Sequence, residues 1–303
     1  MSVDAVLIAG PTASGKSAAA LALAEHAHGV VINTDSMQVY REARILTARP
    51  TPEAEAQAPH RLYGYVGIDE SYSVARYQAD AAKAFAETRA EKRLPIFTGG
   101  TGLYFGALTD GLADVPTVPP DIRARVQVRR DEIGAEAFFE ELKTRDPELG
   151  VRLRASDTQR TLRAYEVFEA TGRALSAWQA EKPPPGPLTG LKLARFVIAP
   201  PRPELHRRIN HRFDVMLEDG AVDEAMRLSS VEPSKPAAKI LGLRELQAVS
   251  TGAMAVDEAR SSAQAATRQY AKRQLTWFRH RMADWRWLEP SGNFITEIFT
   301  SVA

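Results

Sequence analysis

The stretch Gly10-Pro11-Thr12-Ala13-Ser14-Gly15-Lys16-Ser17 follows the apolar run Ala5-Val6-Leu7-Ile8-Ala9 and precedes an alanine-rich segment that reaches about His26. Strand, glycine-bounded loop and helix form the context in which the pattern G-x-x-x-x-G-K-[ST] binds phosphate. Inward-pointing backbone amides and the N-terminus of the helix favour an anion there. Lys16 adds a compact positive charge, and Ser17 offers a hydroxyl to a magnesium ion. The pattern predicts a phosphate site and leaves the phosphorylated molecule open.

The composition is that of an ordinary water-soluble globular protein. The chain has 303 residues, of which 44% are hydrophobic and 25% charged, so one domain with an insertion or two domains are both compatible with its length. The net charge is +1, so a nucleic-acid surface would have to come from local clustering of cations. The sequence has no cysteine, which excludes disulfides, thiolate nucleophiles and cysteine zinc sites. No apolar run approaches the length that spans a membrane, and we expect a cytoplasmic protein.

A second strand is predicted at Val30-Val31-Ile32-Asn33-Thr34, and it ends at Asp35. Strand, helix and strand at this spacing predict a parallel α/β unit, in which ligand-binding groups gather at the carboxyl ends of the strands. Asp35 occupies such an end beside the phosphate loop. This position favours a chemical role for its carboxylate, although aspartate is also common as a cap or turn residue.

A third core strand, Leu94-Pro95-Ile96-Phe97-Thr98, runs into the glycine-rich turn Gly99-Gly100-Thr101-Gly102. Two glycine-rich turns after two core strands would approach one ligand, with Thr101 as a hydroxyl donor. A tight strand-to-helix turn explains this sequence equally well. The strand does not end in the aspartate that often holds magnesium in phosphoryl-transfer enzymes, which counts modestly against an ordinary ATPase.

The middle of the chain predicts a separate helical region. Residues 116–187 lack strand-like runs, carry an arginine cluster, and end in the stiff run Lys182-Pro183-Pro184-Pro185-Gly186-Pro187. We therefore predict an α/β fold with a P-loop NTPase-like parallel sheet core, formed by residues 1–115 and 188–303 with C-terminal helices. Residues 116–187 are the helical insertion domain.

The core is predicted to resume with a strand over 193–199 and a helix over 203–217. Arg208 and Arg212, four residues apart on this helix, suit either structural ion pairs or a clamp on a diphosphate. A last helix is predicted over 256–285. Four cations along one edge of it suggest a track for a phosphate backbone, namely Arg268, Lys272, Arg279 and Arg286. Residues 41–73 are predicted to be loop-rich, and Tyr270, Trp277 and Trp287 are predicted to be packing residues.

Seven segments, taken in order, resemble the tRNA dimethylallyltransferase family, bacterial enzymes that prenylate an adenosine beside the anticodon. The segments are Gly10 to Ser17, Asp35-Ser36-Met37-Gln38-Val39-Tyr40, Pro59-His60, Asp69-Glu70-Ser71-Tyr72-Ser73, Gly99-Gly100-Thr101-Gly102-Leu103-Tyr104, Gln159-Arg160, and Thr267-Arg268-Gln269-Tyr270-Ala271-Lys272-Arg273-Gln274. The first segment alone is unspecific, whereas the ordered set is highly specific.

The resemblance implies a P-loop core, a helical insertion that grips the tRNA anticodon arm, dimethylallyl diphosphate as donor, and Mg²⁺ as cofactor. The phosphate loop then holds the diphosphate leaving group, although its signature is often described as an ATP site. By the same carry-over, Asp35 is the base for the exocyclic amine of the adenosine 3′ of the anticodon. Thr101 contacts the donor near the breaking bond, and Arg212 binds the diphosphate.

The resemblance also implies which positions contact tRNA. Besides Asp35 and Thr101, they are Ser36, Met37, Gln38, Arg123, Gln159, Arg160, Thr161, Leu162 and Arg163. The chain departs from the family pattern at Leu46, where a glycine is usual, at Arg49, where a lysine is usual, and at Leu243, where a tyrosine is common. These departures bear on local loop shape and tRNA contacts more than on the chemistry.

Two other functions remain open from the sequence. A P-loop kinase of a nucleotide or small metabolite would phosphorylate an acceptor from ATP, whereas a prenyltransferase releases diphosphate. An RNA-binding module whose P-loop only switches conformation would leave the RNA covalently unchanged. We expect a monomer that works on tRNA and not at a membrane.

Overall fold

A computed structural model of the chain describes residues 3–291 and 294–302. Among these residues, six strands form one parallel sheet in the order β3-β2-β4-β1-β5-β6. The strands are β1 (Ala5–Ala9), β2 (Gly29–Asn33), β3 (His60–Arg61), β4 (Leu94–Gly99), β5 (Leu193–Ile198) and β6 (Arg286–Leu288). The prediction of an α/β fold with a parallel sheet is confirmed.

Helices follow the strands along the chain. They are α1 (Lys16–His26), α2 (Pro52–Gln57), α3 (Val74–Ala90), α4 (Gly102–Thr109), α5 (Pro120–Arg145), α6 (Pro147–Arg152), α7 (Thr158–Thr171), α8 (Leu175–Ala180), α9 (Arg202–Glu218), α10 (Ala221–Leu228), α11 (Leu243–Ser250), α12 (Val256–Arg281) and α13 (Phe294–Thr300). A 3₁₀ turn covers Ala237–Lys239. No helix of the described ranges has the length and apolar character needed to cross a membrane.

Both faces of the sheet are buried, because β1, β2 and β4 are continuous apolar runs. Successive side chains of a strand point to opposite faces. Val6 and Ile8 accordingly belong to a cluster with α1 and α13, whereas Leu7 belongs to a second cluster with α3, α4 and α12. This three-layer arrangement fixes the carboxyl ends of β1, β2 and β4 side by side, with Asn33 paired to Thr98 and Ala9 to Gly99.

The chain divides into two compact units, residues 3–109 with 187–302, and residues 110–186. The second unit begins six residues before the predicted insertion boundary at 116. It contains α5 to α8 around a core of its own, in which the rings of Phe138 and Tyr165 stack. Within α5 the helix breaks at Gly134, whose φ of 79° is left-handed.

The two chain segments that flank the second unit are hydrogen-bonded to each other within the first unit. The Leu188 N–H donates to the Leu108 carbonyl at 2.9 Å, and the Thr189 hydroxyl donates to the Thr109 carbonyl at 2.7 Å. Residues 110–186 therefore leave the α/β core and return to it at one place.

Short elements lie in a region predicted to be loop-rich, and one predicted helix end is wrong. The region 41–73 contains β3 and α2, and Thr51 caps α2 by accepting from the Ala54 N–H while Pro52 occupies its first turn. The sequence predicts that the last long helix reaches residue 285, but it ends at Arg281. Residues 286–288 form β6, the edge strand beside β5.

Candidate active site

The loop from Gly10 to Ser17 connects β1 to α1 in a tightly folded conformation. Ala13 and Gly15 have left-handed φ values of 62° and 95°. A Cβ at Gly10 would lie 2.7 Å from the Ile198 carbonyl oxygen, so only glycine fits there. The Lys16 ammonium donates to the Pro11 carbonyl at 3.3 Å. The structure therefore places the predicted phosphate loop at the N-terminus of α1, where an anion is stabilised.

Asp35 follows β2 and is held in a tight turn. Its N–H donates to the Asn33 side-chain oxygen at 2.8 Å, and its Oδ1 accepts from the Met37 N–H at 2.9 Å. A Cβ at Gly100 would lie 3.3 Å from the Asp35 Oδ2, so this oxygen faces the second glycine-rich turn. Asp35 thus has the turn role that aspartate often has, and it also lines the cavity described below.

Thr101 lies between β4 and α4 and is bonded to the residue after Asp35. Its hydroxyl oxygen accepts from the Ser36 N–H at 2.9 Å and donates to the Ser36 hydroxyl at 3.2 Å. The Thr101 N–H donates to the Thr34 carbonyl at 3.2 Å. The turns after β2 and β4 therefore form one hydrogen-bonded unit, as the side-by-side strand ends require.

Gln274 of α12 joins this unit to the phosphate loop. Its Oε1 accepts from the Thr12 N–H at 2.9 Å, and its Nε2 donates to the Gly100 carbonyl at 2.8 Å. The side chain is buried. A Cβ at Gly100 would lie 2.2 Å from the Gln274 Nε2, so the glycine is needed for this close approach. The hydroxyl of Tyr270, one turn earlier on α12, hydrogen-bonds with Thr101 and Gln274.

The Asp35 carboxylate interacts electrostatically with two cations of the site. Burial lowers the pKa of the Lys16 ammonium to about 8; the nearby Asp35 opposes this shift and Arg212 adds to it. Burial likewise lowers the pKa of the Arg212 guanidinium to about 10, and Asp35 opposes that shift too. The Arg212 Nη2 donates to the Thr12 hydroxyl oxygen. Arg212 is therefore protonated at neutral pH and anchored to the phosphate loop.

Lys16, Asp35 and Arg212 line one cavity of about 380 Å³, whereas Thr101 is not among its lining residues. Its lining residues are Thr12, Ala13, Ser14, Gly15, Lys16, Ser17, Ala18, Asp35, Gln38, Thr47, Ala48, Arg208 and Arg212. Arg208 donates to the Glu204 carboxylate at 2.6 Å and to the Ser14 carbonyl at 3.4 Å. A cavity with three cations and the amides of a helix N-terminus is suited to a multiply charged anion such as a diphosphate.

The departures from the family pattern have clear places in the structure. The Leu46 side chain is buried in the main core, and Arg49 donates to the carbonyls of Tyr40 and Arg41 at 3.2 and 3.1 Å. Leu243 is buried at the start of α11, directly after Gly242, whose φ is 83°. Core packing accommodates Leu46 and Leu243, and two backbone carbonyls accommodate the Arg49 guanidinium.

The donor set at Ser17 fits magnesium that arrives with a phosphate ligand. In the described part of the chain, no group of three or more histidine and acidic side chains gathers into a metal site. Ser17 is exposed and lines the cavity, so its hydroxyl is accessible to a ligand. Magnesium commonly keeps several waters and takes its remaining ligands from one or two protein oxygens and substrate phosphates. Ser17 fits that role.

The predicted tRNA contacts fall in both units. Ser36 and Met37 belong to the turn at Asp35. The Gln38 amide nitrogen donates to the carbonyls of Thr47 and Ala48 at 2.9 and 2.8 Å, so part of its role is to shape the loop beside the cavity.

In the second unit, Arg123 lies on α5 and Gln159 to Arg163 lie on α7. Arg160 is exposed and pairs with Asp157 at 3.4 Å. Burial lowers the pKa of Arg163; the carboxylate of Glu166 opposes this shift, and the nearby positive charge of Arg123 adds to it. The Thr161 hydroxyl instead donates to the Asp157 carbonyl of its own helix at 2.8 Å, and Leu162 packs against the core of this unit.

The suggested track of four cations along the last helix is wrong in part. Arg286 lies on β6 and pairs with Glu297 of α13 at 2.6 Å. Arg268 donates to the Asn210 side chain at 2.7 Å, so it joins α12 to α9. Lys272 and Arg279 are both exposed residues on α12.

Sequence reasoning missed Gln274 and Tyr270 as members of the site. The signal that could have found Gln274 is its place on the buried stripe of α12, where an amide needs hydrogen-bond partners. The sequence predicts Tyr270 as a packing residue, whereas its hydroxyl reaches Thr101. Thr47 and Ala48 also line the cavity, and no motif indicates them.

Comparison with known proteins gives a consistent picture. A family model described as IPP transferase matches residues 38–281. The chain is 50% identical to the tRNA dimethylallyltransferase of Nitrobacter hamburgensis, over 95% of this chain and 91% of that protein. It is 53% identical to the tRNA dimethylallyltransferase of Azorhizobium caulinodans, over 93% and 90%.

Solved structures agree with these matches. The crystal structure of a tRNA isopentenylpyrophosphate transferase from Bacillus halodurans has a TM-score of 0.69 at 31% identity, covering 98% of this chain and 94% of that chain. A eukaryotic dimethylallyltransferase captured acting on tRNA has a TM-score of 0.78 at 25% identity, covering 94% and 73%.

Proposed function

Because the chain belongs to the IPP transferase family, we propose that it transfers the dimethylallyl group of dimethylallyl diphosphate to tRNA. The acceptor is the exocyclic amine of the adenosine 3′ of the anticodon, and diphosphate is released. The observation that carries this proposal is the shared cavity of Lys16, Arg212 and Asp35, in which a carboxylate lies close enough to two cations to affect both. Thr101 is fixed beside Asp35 through Ser36.

The cations act on the leaving group. In the reaction, the bond between the allylic carbon and the bridging oxygen breaks, and the departing diphosphate keeps the electron pair. Lys16, Arg212 and the amides at the start of α1 neutralise the charge that develops on it. Magnesium, held by Ser17 and the phosphate oxygens, would supply additional charge neutralisation. These groups are fixed before the reaction, since Arg212 is bonded to Thr12 and Lys16 to Pro11.

Asp35 acts on the acceptor. An adenine amine is a poor nucleophile, so a carboxylate that orients it and takes its proton assists formation of the carbon–nitrogen bond. The Met37 N–H bonded to Asp35 Oδ1 fixes the carboxylate. We propose that Thr101, whose hydroxyl is bonded to Ser36 and Tyr270, contacts the donor near the breaking bond.

The acceptor base has to leave its stack to reach this site, which costs a few kcal/mol and less in a loop than in a duplex. We propose that the unit of residues 110–186 supplies contacts to the anticodon arm that offset this. Arg123 and Arg163, which lie near each other in that unit, provide positive charge for the RNA backbone. That the protein is a monomer and that it works in the cytoplasm both remain predictions.

The direct test is mass analysis of unmodified tRNA after incubation with the protein, magnesium and dimethylallyl diphosphate. We expect one adenosine beside the anticodon to gain a dimethylallyl group in place of a hydrogen. The kinase alternative has no support from the relatives, and incubation with labelled ATP provides the matching control. Formation of ADP with a phosphorylated acceptor, and no change in the mass of the tRNA, would contradict the proposal.

A further inference from the structure

Glu224 is a buried carboxylate on α10 that has no part in the proposed chemistry. Its two oxygens accept hydrogen bonds from three consecutive backbone amides. Oε1 accepts from the Arg44 N–H at 2.8 Å and from the Ile45 N–H at 2.9 Å, while Oε2 accepts from the Leu46 N–H at 2.8 Å. Three amides from one turn converging on a single side chain, about 180 residues away in sequence, fix the path of that turn.

The turn leads directly into the wall of the diphosphate cavity. Thr47 and Ala48, which follow Leu46, line that cavity together with the phosphate loop. Ala48 has a left-handed φ of 52°, which is unusual for a residue with a Cβ and persists only where neighbouring contacts hold it. Those contacts are the Ala48 N–H bonded to the Ile45 carbonyl at 2.9 Å, and the Gln38 amide bonded to the carbonyls of both wall residues.

The charge and the hydrogen-bonding capacity of the buried Glu224 carboxylate are both satisfied by neighbouring groups. Its negative charge interacts with the guanidinium of Arg49, the residue after the wall, and the three N–H bonds satisfy its oxygens. A glutamine at this position would have to turn an NH₂ group toward at least one of the N–H donors, so two donors would face each other. The site therefore needs the acid and not merely a polar side chain of the same length.

We propose that Glu224 is a positioning residue for the donor: by fixing residues 44–46, it holds Thr47 and Ala48 as a rigid wall against which the diphosphate is bound. This inference rests on the proposed function of the cavity. It predicts that loss of the carboxylate weakens diphosphate binding and leaves the chemical step nearly unchanged, because Asp35 and Thr101 are held by other contacts.

The test compares Glu224→Gln with Asp223→Asn, a neighbouring position on the same helix that loses the same charge and makes none of these amide contacts. Isothermal titration with inorganic diphosphate and magnesium needs no turnover. It therefore measures how Thr47 and Ala48 affect the Kd for diphosphate even if the proposed reaction is not found. We expect the Kd of Glu224→Gln to rise about tenfold or more, since charge-assisted hydrogen bonds in a buried site are lost. Asp223→Asn should bind like the wild type.

Steady-state kinetics separate positioning from a general loss of structure. For Glu224→Gln, the KM for dimethylallyl diphosphate should rise by a similar factor, whereas kcat should change by less than about threefold. A purely structural defect would reduce the amount of active enzyme, which lowers the apparent kcat and leaves the donor KM unmoved. An unchanged Kd and donor KM in a folded Glu224→Gln protein would overturn the proposal.

Hydrogen exchange supplies a measurement on the wild type, which stands even if the variant does not fold. Binding of diphosphate should slow amide exchange in the segment 43–50, because its wall residues then contact the ligand. In Glu224→Gln, exchange should accelerate in this segment and not in the strands of the sheet. Absence of protection in the wild-type segment, or acceleration spread evenly over the sheet, would contradict the assigned role.

Discussion

The Oε1 of Gln274 accepts the Thr12 N–H at 2.9 Å, so a helix near the C-terminus is bonded directly to the phosphate loop near the N-terminus. The same side chain donates to the Gly100 carbonyl. The loop proposed to hold the leaving diphosphate and the turn that carries Thr101 are thus joined by one side-chain amide. Their distance from each other is set by the side chain of Gln274.

Replacement of Gln274 by methionine, which has similar length and no hydrogen-bonding amide, should lower kcat by about tenfold or more. The Thr12 N–H and the Gly100 carbonyl would be left unpaired, at about 1–3 kcal/mol each. Single-turnover prenylation and thermal unfolding measure the two effects. Gln269→Met, at an exposed position of α12, is the matched control and should behave as wild type. Equal rates in both variants would remove the bridge from the mechanism.

Asp35→Asn should reduce turnover by about 100-fold or more, the usual contribution of a general base. The asparagine oxygen can still accept from the Met37 N–H, so the turn is preserved. Diphosphate binding should persist or become tighter, because a negative charge near Lys16 and Arg212 is removed. Rapid-quench assays measure the turnover rate, and titration with diphosphate measures the Kd. Near-normal turnover in this variant would exclude Asp35 as the base.

Diphosphate binding measured without magnesium should weaken as the pH rises above about 8. The free protein has Lys16 with a pKa of about 8, below the usual value of 10.5 for lysine, so the ammonium loses its proton through this range. A bound anion favours the charged form, so binding above pH 8 should take up a proton. Titration at about pH 8.5 in buffers of different ionisation enthalpy measures this uptake.

Diphosphate itself titrates, so Lys16→Arg is the reference for that pH series. Arginine stays charged, and its titration should show only the ligand's own proton changes. Identical proton uptake in the wild type and Lys16→Arg would show that Lys16 is already charged in the free protein.

Two glycines on either side of Thr101 should respond oppositely to replacement by alanine. A Cβ at Gly99 would lie 2.0 Å from the Thr34 carbonyl oxygen, a backbone atom that cannot move aside, so Gly99→Ala should destabilise the fold by about 2–4 kcal/mol. A Cβ at Gly106, inside α4, would meet no atom of another described element within 4 Å, and alanine there should stabilise by about 0.5–1 kcal/mol. Urea unfolding of both variants checks the contrast, and similar stabilities would refute the close approach at Gly99.

The parts of the fold that could be predicted are those with a long apolar pattern. β1, β2, β4 and β5 lie where their apolar runs indicate, and α9 lies within one residue of its predicted bounds. The short edge strand β6 was missed because Arg286, Trp287 and Leu288 carry too little periodicity to separate them from the preceding helix. Thr51 followed by Pro52 is a typical start of a helix, but the flanking Pro50 and Pro59 favour a loop.

The site was predictable where it follows from strand ends and not where it depends on tertiary contacts. The phosphate loop and Asp35 occupy the predicted positions in one cavity. Gln274 enters the site only because α12 packs across the two loops, and Thr47 enters because Glu224 fixes the preceding turn. No local pattern identifies the partners in these contacts, since they are separated by 174 and 178 residues.

The hydrogen bonds from Leu188 to Leu108 and from Thr189 to Thr109 have an evolutionary consequence. Because these hydrogen bonds hold the two ends of residues 110–186 together, the entropic cost of closing this segment depends only weakly on its length. Natural selection could therefore enlarge, shorten or exchange residues 110–186 without rebuilding the α/β core. Relatives with different RNA targets should differ most in the region that corresponds to residues 110–186.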